Sequence, residues 1–322
     1  MKKPLISVVI AAYNAEPWLA ETLESVMAQT WSKVEIIVVD DGSQDGTLAV
    51  AKRYESPQIK VIYQENQGQC AASNRCLQAA QGDFIQYLDA DDLLAPDKIE
   101  QQIQRLLHNP PGYIASGAWA RFYHSIQAAN FKVEALWADF SPVDWLLCAW
   151  QNHLMMHGAA WLLPRDIVEK AGPWDTRLSL INDFDYFSRI ILASKGILFC
   201  EGARTYYRSG LESSLSGQTS TAAWQSAFLA LCKGTSNLLA KEDSPLAKQV
   251  CANVFQRFIY ETYPAVPELR AAAALNVKQL GGATIQAQGS PWYNKVSKVF
   301  GWKQANHLRN YFRKQQQLFA RT

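Results

Sequence analysis

The 322-residue chain has no apolar run approaching the ~18 residues of a membrane-spanning helix, and stretches such as Trp145–Trp150 are far too short. This predicts a soluble chain. The start, Met1-Lys2-Lys3-Pro4-Leu5, looks like half a signal peptide, but the apolar stretch ends at Ala12 and polar Tyr13-Asn14 follow. The six cysteines (Cys70, Cys76, Cys148, Cys200, Cys232, Cys251) form no Cys-x-x-Cys pair and have no His at zinc spacing. Buried thiols in a reducing cytosol are expected instead. No Gly-x-Gly-x-x-Gly stands after the first apolar run, where Ala11-Ala12-Tyr13-Asn14-Ala15-Glu16 occurs, and no Gly-x-x-x-x-Gly-Lys is present. Both absences argue against a dinucleotide fold and a P-loop. There is no internal repeat. No acidic residue follows Glu268.

What is present is an ordinary globular composition, 48% hydrophobic and 19% charged, long enough for about two domains or one α/β domain with an extension. The near-balance of 31 basic and 29 acidic groups hides an asymmetry. Residues 1–268 carry 22 basic and 29 acidic side chains, whereas the rest carries nine basic ones alone. A basic end suggests an anionic partner for it. There Trp292, Tyr293, Val296, Val299, Phe300, Trp302, Leu308, Tyr311, Phe312 and Leu318-Phe319 interleave with Lys and Arg, which suits an anionic membrane interface through 292–322. The alternative is a helix packing its apolar stripe on the rest of the chain. Nucleic-acid binding fits the charge and nothing else.

The first hundred residues alternate between strand and helix patterns. Leu5–Ala11, Val34–Val39, Lys60–Tyr63 and Asp83–Leu88 read as strands. A helix follows each: one opening at Pro17 with a Trp18, Leu19, Leu23, Val26, Met27 stripe, then Thr47–Tyr54, Gln69–Ala80 and Pro96–Leu107. Such alternation predicts a mostly parallel sheet with right-handed crossovers, whose ligands gather beyond the strands' carboxyl ends. Two acidic clusters, Asp40-Asp41 and Asp89-Ala90-Asp91-Asp92, fall at those ends. Carboxylates two apart on a tight turn can converge on a hard cation, which would neutralise a diphosphate leaving group; they can equally cap a turn. An Asp at the end of the second strand can bond a ribose or base, while Gly42 and Gly46 permit the turn and Ser43 or Asp45 caps the next helix.

Residues 113–215 are less regular, with a helix pattern around Phe184–Ala193 and a strand at Ile197–Cys200. Trp119, Trp137, Trp145, Trp150, Trp161 and Trp174 are candidates for core wall or for stacking surfaces. His153 and His157 lie four apart, but Gly158 weakens a helical metal pair. The Ser/Gly-rich stretch 209–220 is the expected domain boundary, with helices at Ala222–Leu239, Leu246–Tyr260 and Val277–Gln288 beyond it.

Taken together, Ser7-Val8-Val9-Ile10-Ala11-Ala12-Tyr13-Asn14, Val39-Asp40-Asp41-Gly42-Ser43-Gln44-Asp45-Gly46-Thr47, Asn66-Gln67-Gly68, Ala72-Ser73-Asn74-Arg75 and Gly82-Asp83-Phe84-Ile85-Gln86-Tyr87-Leu88-Asp89-Ala90-Asp91-Asp92 resemble the ordered motifs of family 2 glycosyltransferases with the GT-A fold. The resemblance continues through Leu163-Pro164-Arg165, Gly172-Pro173-Trp174-Asp175 and Asn182-Asp183-Phe184-Asp185, and covers about residues 4–215. It implies a GT-A-like, Rossmann-type α/β catalytic domain over 1–215 with a C-terminal helical extension over 216–322. Nucleotide-sugar binding would fall to 1–110 and the acceptor side to 111–215.

The implied activity is inverting transfer of a sugar from a nucleotide diphosphate, most often a UDP-sugar, to a glycan or lipid-linked acceptor in polysaccharide or glycoconjugate synthesis. By the resemblance, Ala11, Tyr13 and Glu16 line the nucleotide pocket, Asp41 bonds the base, and Arg75 lies near the base or diphosphate. Asp89 and Asp91 form the Mg²⁺ or Mn²⁺ motif, with Asp91 the direct ligand and Asp89 nearer the ribose. Asp183 corresponds to the general base and Arg208 to a diphosphate contact, His153 and His157 read as acceptor-side or structural, and the tryptophans between 119 and 174 are either core or stacked on acceptor sugars. Asn182 stands where Glu is commoner and Ser209-Gly210 where a His is often found. Independently of the resemblance, Asp183 reads as a base or as the N-cap of the helix near Phe184, with Asp185 as the fallback base. Two other function classes remain open: nucleotidyl transfer to a sugar phosphate, and a non-catalytic nucleotide-sugar-binding module. The expected location is the cytoplasm, with peripheral contact at the membrane face.

Overall fold

A computed structural model describes residues 3–211 and 218–319, with side chains absent from the description at 310 and 312–319. The chain divides into two compact units, 1–242 and 243–322.

In the first unit, four apolar runs become parallel strands: β1 (Ile6–Ala12), β2 (Val34–Asp41), β3 (Ile59–Gln64) and β4 (Phe84–Tyr87). They lie in the order β3-β2-β1-β4. Helices α1 (Leu19–Met27), α2 (Thr47–Arg53) and α3 (Gln69–Ala79) make the crossovers, and α4 (Lys98–Leu107) follows β4. The apolar stripes of α1 (Leu19, Leu23, Val26) and α4 (Ile99, Ile103, Leu106) close on Ile6, Val8, Ile10 and Val38 to form the core. This is the architecture the alternating pattern predicts. Because the chain passes from β1 to one side and returns to β4 on the other, the sheet has its switch point between β1 and β4. That is where open α/β sheets leave a crevice for ligands. Val9 pairs with Tyr87, so β4 ends beside the middle of β1 and the Asp89 turn opens directly onto that crevice.

A second sheet has the order β5-β8-β6, from β5 (Leu93–Leu94), β6 (Tyr113–Phe122) and β8 (Gly196–Arg208). The strand read at Ile197–Cys200 thus runs on to Arg208. The register breaks between Gly117 and Ala118, where β8 carries Glu201-Gly202-Ala203 without counterparts on β6. A side chain at Gly117 would sit 2.3 Å from the Ala203 carbonyl oxygen. The bulge sets Tyr207 and Arg208 beside Arg121 and Phe122.

Between the sheets' segments lie α5 (Pro142–Asn152), β7 (Leu163–Pro164, antiparallel to β4), α6 (Arg165–Ala171), α7 (Asn182–Ala193) and α8 (Thr221–Leu239). The Phe184 ring of α7 lies where a Cβ on Gly234 of α8 would be only 2.5 Å away. Helix α8 therefore belongs with the first unit, and the compact boundary falls after Glu242 rather than in the expected 209–220 stretch. Residues 212–217 of that stretch lie outside the described residues. Trp145, Trp150, Trp161 and Trp174 are all buried, which makes them wall rather than sugar-stacking surfaces, whereas Trp119, largely buried, borders a pocket beside β6.

The second unit comprises α9 (Pro245–Thr262), α10 (Pro267–Gln279), α11 (Pro291–Phe300) and α12 (Trp302–Phe319). Ser244 and Ser290 cap helices that begin with proline, as Ser141 does for α5, accepting the N–H three residues on. The helix expected at Val277–Gln288 instead ends at Gln279, because Gly281 and Gly282 take positive φ; it begins earlier, at Pro267. Asn253 ties Thr284 back onto α9. Among the described residues, no helix is long and apolar enough to cross a membrane.

Candidate active site

The loops after β1 and β2 interlock at the carboxyl edge of the sheet. Asn14, at positive φ, donates its N–H to Ser43 Oγ (3.0 Å) and accepts from Gln44 N (2.8 Å). Ala15 N donates to Thr47 Oγ1, and Glu16 accepts from Gly46 N (2.8 Å) at the start of α2. Glu16, expected on the nucleotide, thus caps α2, while Tyr13 is exposed and Ala11 half-buried at the mouth of the crevice. Asp41 also holds backbone: its carboxylate accepts from Gln64 Nε2, Gln67 N and Gly68 N at 2.7–2.9 Å. These bonds fix the loop leading into α3, on which Arg75 is exposed. Gly42 lies at φ +71° with its missing Cβ 2.7 Å from Asn66 N. Gly42→Ala is therefore expected to destabilise the fold by about 1–3 kcal/mol, read as a lower urea midpoint at unchanged slope.

The Asp89–Asp92 turn is clasped from two sides. On one, Thr22 of α1 donates to the Ala90 carbonyl and Ser25 accepts from Leu94 N. On the other, the end of β8 reaches over: Arg208 N donates to Asp92 Oδ1 (2.7 Å), Arg208 Nε to the Asp91 carbonyl (2.7 Å) and Nη2 to Glu21 (2.6 Å). Arg208, expected at the diphosphate, is buried and shapes the turn.

Asp92 is fully buried, with His157 Nε2 at 2.8 Å from its Oδ2; the same nitrogen lies 3.6 Å from Asp89 Oδ2. Donor atoms of Asp89, Asp92 and His157 all lie within 4.8 Å of one another, a set that could hold a cation. In the sequence His157 stands out only for its spacing to His153; its partners here, Asp89 and Asp92, are far away in the chain, and α5 ends before it. The segment carrying it is held by buried polar side chains: Gln86 donates to the Ala159 carbonyl, Gln102 to that of Ala160 and Lys98 to that of Trp161. Burial holds the Lys98 ammonium well below its usual pKa, with Gln86 as its other partner. Burial likewise disfavours the His157 imidazolium, but Asp92 and Asp89 outweigh it and raise its pKa. The Asp92–His157 pair is thereby self-neutralised.

Asp91 lies alongside, outside that set of three. Its carboxyl is pushed up to about 7 by burial and by the charges of Asp92 and Asp89. Like charges crowded in this way are relieved by a bound cation.

Asp183 stands in the first turn of α7, after Ile181, a β-branched residue at φ +48°. It is exposed, and Oδ1 accepts the Phe184 N–H (2.9 Å). The surrounding protein raises its pKa; the Phe184 N–H opposes that, and the Asp89 charge adds to it. The two carboxylates are therefore close enough to feel each other. Asp185, the fallback, is fully buried against Arg189 (3.0 Å) and Lys233 (3.7 Å), which removes it as a base.

A hydrogen-bonded relay joins the two sides. Asn182 Nδ2 donates to Gln69 Oε1 (3.0 Å), and Gln69 Nε2 donates to Asp89 Oδ1 (3.3 Å). Because a carboxylate only accepts, Gln69 must turn its NH₂ to Asp89 and its oxygen to residue 182, which must then be a donor. Asn182→Asp should break the relay and weaken apparent Mn²⁺ affinity about tenfold, read by electron spin resonance of free Mn²⁺.

The sequence model of glycosyl transferase family 2 matches residues 7–172, just over half of the chain. The putative glycosyltransferase EpsH of Bacillus subtilis is 42% identical over 106 residues, 32% of this chain and 31% of that protein. The chain thus spans about a third of that relative's length. Among solved structures, TarS of S. aureus in complex with UDP-GlcNAc superposes with a TM-score of 0.67 at 15% identity, over 86% of this chain and 80% of that one. The mannosyltransferase PcManGT of Pyrobaculum calidifontis, in complex with GDP-Man and Mn²⁺, gives 0.53 at 18% identity, over 98% and 89%. At these identities the likeness is one of fold, and the fold is GT-A. The chain belongs to glycosyl transferase family 2.

Proposed function

We propose that the chain is an inverting glycosyltransferase that moves a sugar from a nucleotide diphosphate, most often a UDP-sugar, to an acceptor hydroxyl. The observation that carries this reading is the pair of carboxylates across the crevice. Asp183 is exposed and of raised pKa next to Asp89, while its near neighbour Asp185 is locked in ion pairs. The acceptor hydroxyl attacks the anomeric carbon, Asp183 takes its proton, and the C–O bond to the diphosphate breaks on the opposite face. The nucleotide lies over Ala11 and Tyr13 at the switch point, with Asp41 keeping one lone pair for the base and Arg75 near the base or diphosphate.

The carboxylates of the turn fit a divalent ion, Mg²⁺ or Mn²⁺, since oxygen ligands suit both. When bound, it neutralises charge on the departing diphosphate. Asp89 and Asp91 are its ligands in this reading. The Asp92–His157 pair, already compensated, stiffens the turn together with Arg208. The nucleotide-sugar and Mn²⁺ complexes of the two structural neighbours support a donor and a metal of these classes.

The acceptor is a glycan or lipid-linked sugar in polysaccharide or glycoconjugate synthesis. In the second unit, α11 exposes Trp292, Val299 and Phe300 among Lys295 and Lys298, which supports peripheral contact with anionic lipid. Phe300→Glu with Lys298→Glu should cut co-sedimentation with anionic vesicles several-fold relative to neutral ones; unchanged partitioning would reject the contact.

Incubation with Mn²⁺ or Mg²⁺ and a panel of nucleotide sugars tests the main reading by release of nucleoside diphosphate. Pyrophosphate release from a nucleoside triphosphate would mean nucleotidyl transfer, and binding without turnover a non-catalytic module.

A further inference from the structure

Beside the end of β6 the first unit has an open cavity of about 560 Å³, lined by Trp119, Arg121, Tyr123, His124, Lys132 and Glu134 among others. Its charge is one-sided. Arg121 and Lys132 line it with a single carboxyl, Glu134, and burial raises the pKa of that group against the pull of Arg121 and Lys132.

Arg121 is set rather than loose. Its guanidinium lies 4.7 Å from the centre of the Tyr207 ring and 5.7 Å from that of Trp119, and Nη1 donates to Ser209 Oγ (2.9 Å). A guanidinium so held presents its remaining N–H groups in a fixed fork, the geometry that suits a phosphate.

The cavity also abuts the reacting centre. Tyr207 stacks on His157 with centroids 4.6 Å apart, the Trp119 ring lies 6.3 Å from the same imidazole, and His157 is 3.6 Å from Asp89. It stands on the β6–β8 sheet, away from the β1–β2 loops on which the nucleotide lies. An acceptor whose hydroxyl reaches Asp183 would carry the rest of its body over this side. Aromatic walls suit the apolar faces of a sugar or polyol, and the cations suit an anion attached to it.

We propose that this cavity is the acceptor subsite and that the acceptor bears a phosphate next to the sugar or polyol that is glycosylated. The proposal rests on the glycosyl-transfer reading and narrows it. Two sources share this chemistry: a phosphodiester-linked polyol chain and a lipid-diphosphate-linked sugar.

The test is calorimetric titration of the full chain with two probes, a glycerol-phosphate trimer and a short-chain lipid-diphosphate N-acetylglucosamine, each against its dephosphorylated counterpart. We expect a phosphorylated probe to bind the wild type, Arg121→Ala and Lys132→Ala each to weaken it about tenfold or more, and Arg121→Lys to recover part of the loss. Whichever probe binds identifies the source. Equal binding of phosphorylated and neutral probes, or no effect of either alanine variant, overturns the proposal. Nucleoside diphosphate release by the wild type with donor and water alone reports separately on the underlying reading, since it needs no acceptor subsite.

Discussion

Asp183→Asn should lower turnover by roughly 10²- to 10⁴-fold, the range of a lost general base, while donor affinity changes little. The amide keeps the Phe184 N–H bond that caps the first turn of α7, because its carbonyl oxygen still accepts, but it cannot take the acceptor's proton. The sign of the pH dependence follows from the raised pKa. Asp183 works only when ionised, so the rate falls as pH drops through a value above the ordinary carboxylate range, and the variant's residual rate loses that limb. Stability moves the other way. A carboxyl whose folded pKa is raised contributes stability below its unfolded pKa, and that contribution is lost as pH rises through the folded value. At neutral pH the charged group is thus a burden, and Asn should leave the thermal midpoint equal or higher. Loss of activity together with loss of fold would count against the assignment.

The second large effect concerns the turn after β4. Asp91→Asn should remove most Mn²⁺ binding and lower turnover about 10²- to 10³-fold, because charge on the leaving diphosphate is no longer neutralised. Relief of crowding is the reason: Asp91 is raised by burial and by Asp92 and Asp89, and that repulsion is what a cation discharges. His157→Gln should retain Mn²⁺ binding while lowering stability, since it leaves the fully buried Asp92 without its ion partner. The reverse outcome, Mn²⁺ lost with His157 and kept with Asn at 91, would assign the ion to Asp89, Asp92 and His157 instead.

The parallel half of the first sheet is legible in the residues because its strands are buried on both faces, so apolar runs such as Ile6–Ile10 mark them without ambiguity. Pro17, Gly42 and Gly82 punctuate them. What escapes is whatever depends on distant partners. β8 looks like a four-residue strand because polar Glu201-Gly202 interrupt it, yet they form a bulge and the strand resumes. His157 has a ligand-like spacing only to His153, four residues before it, and the clamp of Gln86, Lys98 and Gln102 on residues 159–161 brings it to Asp92 instead. Glu16, Asp41 and Arg208 carry ligand-like chemistry in the motifs, but in the fold each spends hydrogen bonds on backbone that shapes the crevice. Asn182 departs from the commoner acid for a reason readable only in three dimensions: Gln69 needs a donor there.

In the proposed mechanism Asp183 and the cation-holding turn stand on opposite faces of the anomeric carbon. Proton NMR of the first product formed from an α-linked nucleotide sugar, with water as acceptor, reads that arrangement out as product configuration. A β-configured product, seen before mutarotation, is expected. An α product, or a chain that binds nucleotide sugars yet releases no sugar from any of them, would contradict it.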